Sequence, residues 1–186
     1  MPRAGLSPAV VVREAADMSD EIGYSRLTLA ALADRLGVRQ PSLYKHIDSL
    51  DDLQRGIAVA AKHELGDVLA RAAVGRAGPD AIRAMADAYR TWVLDHPGRY
   101  AATVRAPLPD DEEDRQASDK VVSIVLAVLA GFGLTGNAGI DAARSLRAAI
   151  HGFVSLEIVG GFGLPRDPAR SYRFMVDVLI AGIEQR

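Results

Sequence analysis

Apolar residues return every three or four positions along most of the chain, the spacing that places them on one face of a helix. After Ser7-Pro8, a capping residue and a proline suited to a first turn, Val11, Ala15, Met18 and Ile22 mark a first helix that Gly23 stops. Thr28 can cap a short second helix, Leu29 to Leu36, with Leu29, Leu32, Ala33 and Leu36 on one face. Gly37 follows where a tight turn wants a residue free to take positive φ. A third short helix is expected from about Gln40 to Ile47, with Pro41 tolerated in its first turn. Ser49 can cap a fourth, whose early Asp51 and Asp52 suit the helix dipole. Its stripe of Leu53, Ile57, Ala60 and Ala61 carries it to about Arg71.

Glycines between Gly75 and Gly78 break the pattern, and Pro79-Asp80 opens a fifth helix with Ile82, Met85, Tyr89, Trp92 and Val93 on one side. His96-Pro97-Gly98 ends it. A short segment, Arg99 to Val104, leads to a proline-rich connector, Ala106 to Pro109. The acidic run Asp110 to Asp114 reads as a solvated helix start rather than a binding tail. An apolar stretch from Val121 to Ala130 follows, then two segments of helical length, Ile140–Val159 and Pro168–Ile183. No internal repeat or low-complexity tract interrupts them. The expected fold class is all-α, with about nine helices.

Composition narrows the function. The chain has 186 residues, 49% hydrophobic and 25% charged, enough apolar material for a sizeable core. No apolar run is long enough to span a bilayer. The opening Met1 to Leu6 carries one charge and no leader pattern, so a cytoplasmic location is expected. There is no cysteine, hence no thiolate metal site and no Cys nucleophile, and the four histidines lack zinc spacing. A net charge of −2 means that any attraction to nucleic acid must come from a local patch.

Such a patch lies near the N-terminus. Residues 28 to 47 read as two short amphipathic helices joined by Gly-Val, the arrangement of a helix-turn-helix. Leu29, Leu32, Val38, Leu43 and Ile47 would form its small core, and Ala33 lets the helices cross closely. Arg39, Gln40, Ser42, Tyr44, Lys45 and His46 remain outside, with donors and acceptors of the kind that reach base edges and phosphates. From Arg35 to Ile47 there are three cations, Arg35, Arg39 and Lys45, and no carboxylate.

The stretch Thr28…Leu32-Ala33…Gly37-Val38…Leu43-Tyr44-x-His46-Ile47…Leu53 resembles the DNA-binding domain of the TetR family of transcriptional regulators. The run Gln40-Pro41-Ser42-Leu43-Tyr44 is especially close to the tetracycline-repressor pattern. The likeness covers roughly residues 7 to 68. It implies a three-helix DNA-binding domain over residues 1–48 and a helical ligand-binding and dimerisation domain over 49–186. It also implies DNA-binding residues. Tyr44 would meet backbone phosphate, and Thr28 would both cap and contact phosphate. Arg39, Gln40, Ser42 and Lys45 would read bases, with Pro41 and His46 in the same element. Leu50 stands where the family usually has a lysine that opens the next helix, which puts one phosphate contact in question.

Residues 144 to 162 are similar to a C-terminal subtype named for a Trp-His-Gly motif, with Ile150 in place of the Trp before His151-Gly152. The resemblance implies a homodimer through the last two helices, a small-molecule effector, and double-stranded operator DNA as partner, with no cofactor and no metal. Candidates for an effector pocket are Tyr89, Trp92, Arg105, Phe132, Arg147 and His151. For His151 and the aromatics, plain helix packing is the first reading. Arg147 and Glu157 sit on an otherwise apolar helix and are expected to pair across the dimer or face solvent.

Gly131 to Gly136 fits G-x-G-x-x-G after a β-branched run, with Glu157 some twenty residues on, as in a dinucleotide site. The rest of the chain lacks alternating strands and helices, so the glycines read as an interhelical loop. The alternative function is a small-molecule-binding helical enzyme whose helix-turn-helix is only packing. Against it, there is no Glu-x-x-His pair and no nucleophile elbow. The function expected is a sequence-specific DNA-binding regulator, a repressor released by a small molecule, and not an enzyme.

Overall fold

The computed structural model describes residues 6–185. The stretch on which the leader reading rests lies almost entirely outside them, as does Arg186. Eight α-helices follow in order: α1 (Pro8–Ile22), α2 (Leu29–Leu36), α3 (Leu50–Ala73), α4 (Gly78–Asp95), α5 (Pro97–Thr103), α6 (Glu112–Ala130), α7 (Gly136–Ile158) and α8 (Pro168–Glu184). A six-residue 3-10 helix, Gln40–Lys45, lies between α2 and α3, and a three-residue 3-10 turn, Tyr24–Arg26, lies between α1 and α2. No strand occurs among the described residues.

The caps foreseen from sequence are made. Ser7 Oγ accepts from the Val10 amide at 3.3 Å and Thr28 Oγ1 from the Ala31 amide at 3.2 Å. Each satisfies a donor that a helix start leaves unpaired. Ser49 Oγ accepts from the Asp52 amide, and the Asp52 carboxylate accepts in return from the Asp48 amide, both at 3.0 Å. The G-x-G-x-x-G stretch is the turn between α6 and α7, and the β-branched run before it is helical.

The chain forms two compact units: residues up to Lys62 with Asp95–Ala117, and His63–Leu94 with Ser118 onward. The first has a core of Val11, Ala15, Leu29, Leu32, Leu43, Ile47, Leu53 and Ile57, with Val38 packed against it. Helix α1 lies against α5 so closely that a Cβ at Gly98 would fall on the Ser19 carbonyl. The Asp20 carboxylate accepts from the Arg99 amide at 2.8 Å, and the Arg99 guanidinium reaches Asp17 and His96.

The acidic run does start a helix, but it is not simply solvated. Arg55 donates from Nε and Nη2 to Asp111, each at 2.6 Å, and from Nη2 to Glu113 at 2.9 Å. Lys62 Nζ donates to Asp114 Oδ1 at 2.5 Å, with both side chains buried, and to the Arg105 carbonyl at 3.3 Å. Arg55 and its hydrogen bonds hold the Asp111 carboxyl down at about 2.

In the second unit the core joins Ile82, Met85, Trp92 and Val93 of α4 to Leu146, Ile150 and Val154 of α7 and Tyr172, Val176 and Ile180 of α8. Tyr172 buries its ring and donates its hydroxyl to the Ala86 carbonyl at 2.6 Å, which satisfies the polar end. Glu157 does not await a partner subunit: Arg90 Nε donates to it at 2.8 Å within the same chain. The Arg90 guanidinium also lies 5.6 Å from the Tyr172 ring centroid.

Candidate nucleic-acid interface

Helix α2 ends on Gly37 at φ 65° and ψ 35°, a left-handed conformation that costs glycine little. The Gly37 amide donates to the Asp34 carbonyl at 3.1 Å and the Val38 amide to the Ala33 carbonyl at 3.0 Å, so the turn closes on itself. Val38 then pins the chain to the small core, and Arg39 in extended backbone opens the next element. That element is not the α-helix to Ile47 expected from sequence. It is a 3-10 helix, in which Ser42 N–H donates to the Arg39 carbonyl and His46 N–H to the Leu43 carbonyl, both at 2.8 Å. Pro41 brings no N–H to an α-helical ladder, and runs this short suit i→i+3 bonding.

The 3-10 helix is anchored by one side chain and presents the others. Leu43 is wholly buried, with Ile47 beyond it. Arg39, Gln40, Pro41 and Lys45 are exposed, Tyr44 is 51% exposed, and Ser42 and His46 are half-buried. Thr28 is exposed as well, at the start of α2. The sequence-derived DNA-binding residues therefore all reach solvent, on the two short elements of the helix-turn-helix.

The patch is smaller than the sequence implies. Arg35 Nη1 and Nη2 donate to Glu21 at 2.6 and 2.9 Å, and Arg35 Nε donates to Glu14 at 3.5 Å. The Arg35 hydrogen bond holds the Glu21 carboxyl below its ordinary range. A cation so engaged is no longer free for a phosphate. The absence of carboxylates from 35 to 47 hid this, because Glu14 and Glu21 approach from α1. Arg39 and Lys45 keep uncommitted charge.

The effector-pocket candidates are dispersed. Trp92 is buried in the core of the second unit. Tyr89, Phe132 and His151 are half-buried there, and Arg147 is exposed on α7. Arg105 belongs to the first unit, its side chain exposed and its carbonyl held by Lys62. A cleft of about 250 Å³ between α4 and α8 is lined by Asp87, Arg90, Thr91, Ala169, Tyr172 and Arg173, none of them among the six. Among the described residues no cluster of three His, Asp or Glu side chains could hold a metal, and no helix is long and apolar enough to cross a membrane.

Comparison with known proteins bears on the whole chain. A family model described as a tetracyclin repressor-like C-terminal domain matches residues 82–179. An uncharacterized HTH-type transcriptional regulator of Mycobacterium tuberculosis is 41% identical over 184 residues, covering 98% of this chain and 84% of that protein. Among solved structures, BioQ with its natural double-stranded DNA operator superposes with a TM-score of 0.70 at 21% identity, covering 98% of this chain and 100% of that one. A TetR variant from Acinetobacter baumannii AYE in complex with minocycline gives 0.74 at 20% identity, with 97% and 98% covered.

Proposed function

The chain belongs to the TetR family and is a sequence-specific DNA-binding transcriptional regulator, not an enzyme; from that premise we propose that it is a homodimeric repressor, released from its operator by a small molecule. The observation that carries the DNA-binding part of the proposal is the 3-10 helix Gln40–Lys45, anchored by buried Leu43 and exposing Gln40, Tyr44 and Lys45, with Arg39 exposed just before it. An element held from one side only, with polar and cationic groups on the other, suits insertion into a major groove.

In this reading residues 1–48 bind DNA and residues 49–186 sense the effector and dimerise. Arg39, Gln40, Ser42 and Lys45 read bases; Thr28 and Tyr44 hold phosphates; Pro41 and His46 shape the element. Dimerisation runs through α7 and α8, where Leu156, Phe174 and Val178 expose large apolar surface that a lone protomer leaves in water. The effector binds in the second unit, with Tyr89, Phe132, Arg147 and His151 as the first positions to vary. Buried Trp92 completes that set, and Arg105, which belongs to the first unit, falls outside it. The protein works in the cytoplasm, where its operator is.

The test is fluorescence anisotropy of purified protein on the DNA upstream of its own gene, with random duplex as control and several salt concentrations. A preference of at least ~10³ with a steep salt slope is expected of a specific regulator. Equal weak binding to the upstream DNA, to random DNA and to fragments from a genome-wide selection would reject the proposal.

A further inference from the structure

Seven lysines and arginines lie between Leu6 and Lys62. Their partners sort them. Arg35 is held by Glu21 and Glu14, Arg55 by Asp111 and Glu113, and Lys62 by Asp114. Arg13 lies 3.7 Å from its neighbour Glu14. Among the described residues three remain without an ion pair: Arg39 and Lys45 at the two ends of the 3-10 recognition element, and Arg26, which no sequence motif singles out.

Arg26 is placed rather than loose. It closes the 3-10 turn Tyr24–Arg26 that leads into α2. Its amide donates to the Gly23 carbonyl at 3.0 Å, and the next amide, of Leu27, donates to the Tyr24 carbonyl at 3.2 Å. Leu27 is 2% exposed and nails the segment to the core, while Ser25 and Arg26 stay in solvent. Two residues on, Thr28 caps α2. In a helix-turn-helix the first helix crosses the DNA backbone, and helix starts are where phosphates are met. A fixed backbone therefore delivers a free guanidinium beside the end of the helix that meets phosphate. A guanidinium matches two phosphate oxygens at once.

We propose that Arg26 is a DNA phosphate-binding residue, setting affinity and register but not sequence preference. The inference rests on the DNA-binding reading above. It gives each protomer a third free cation, at the start of α2, where α2 and the recognition element supply no other.

The test compares wild type, Arg26→Gln and Arg26→Lys on a random-sequence duplex and on the upstream DNA, from 50 to 200 mM salt. One phosphate contact per protomer is worth about 0.9 in the slope of log affinity against log salt, so Arg26→Gln should flatten the slope by about 1.8 in a bound dimer. Wild type should then lose roughly tenfold more affinity than Arg26→Gln across that range. The loss should be equal on both DNAs, and Arg26→Lys should keep the wild-type slope. The side chain is exposed, so both variants should melt as wild type does. An unchanged slope in Arg26→Gln would overturn the proposal, as would a loss confined to the upstream DNA or an equal loss in Arg26→Lys. If wild type itself bound neither duplex, the DNA-binding reading would fall and this one with it; the variants separate that case from failure of Arg26 alone.

Discussion

Gln40 and Tyr44 stand four residues apart on one short element and are expected to fail differently. A base contact is lost only where the right base is present, whereas a phosphate contact is lost on any sequence. Gln40→Ala should cost about 1–3 kcal/mol on the true operator and little on random DNA. Tyr44→Phe should weaken both alike, by about 0.5–1.5 kcal/mol for one hydrogen bond. Parallel anisotropy titrations on the two DNAs decide it; the same ratio for both variants would undo the assignment. Gly98 makes a separate residue-scale case. Any Cβ there meets the Ser19 backbone, which cannot rotate away. Gly98→Ala should cost at least 1–3 kcal/mol of stability as overpacking between α1 and α5, read from the urea midpoint.

At the scale of elements, the ion pairs that hold the start of α6 on α3 join residues more than fifty positions apart. Lys62 and Asp114 are both buried, so removing the Asp114 carboxylate leaves the buried Lys62 charge without its counter-ion. Asp114→Ala should cost about 3–5 kcal/mol, and the double change Lys62→Met with Asp114→Leu should restore most of it. Chemical denaturation of the single and double variants tests this; equal losses would mean the pair is not the cause. Asp111 adds a pH signature. Its carboxyl is lowered from 3.8 to about 2 by Arg55, so its contribution to stability is complete above about pH 4 and is lost as pH falls towards 2. Asp111→Asn should flatten that acid limb in a pH series of melting temperatures, leaving the limb above pH 5 unchanged.

These pairs also mark what the sequence could and could not disclose. Ser7, Thr28, Ser49 and Gly37 announced their helix ends because caps act over three or four residues. The small core around Leu29, Leu32, Leu43 and Ile47 followed from helical spacing for the same reason. The 3-10 form of the recognition element is not legible in the sequence, because one proline is tolerated in the first turn of an α-helix too. Arg35 reads as free charge in the sequence because its partners are 14 and 21 positions away on α1. Long-range electrostatics has no period to read. The surfaces that the DNA-binding candidates present were legible, because a two-helix motif fixes its own outer face. The effector candidates were legible only as aromatics and charges, and sequence spacing gave no means of gathering them.

For the whole molecule, the surface left in water matters most. Phe174 is 69% exposed and Val178 54% exposed, one helical turn apart on α8, whose opposite face is committed to the core through Tyr172, Val176 and Ile180. A helix apolar on both sides is built to be covered on both sides. A second copy of α8 supplies a matching apolar face by symmetry, since a two-fold interface sets the same patch against itself. Phe174→Glu with Val178→Glu would put four carboxylates into that interface and leave the buried face untouched. The variant should therefore stay helical and melt near the wild-type temperature at low concentration, yet sediment as a monomer. Operator binding should drop about 10²–10⁴-fold, because two half-sites are no longer engaged by one particle. Residual affinity for random DNA should persist, since each protomer keeps Arg39 and Lys45. Sedimentation velocity alongside anisotropy tests the point. A variant that remains dimeric would move the interface away from this face of α8, and a monomer with undiminished operator affinity would separate recognition from dimerisation altogether.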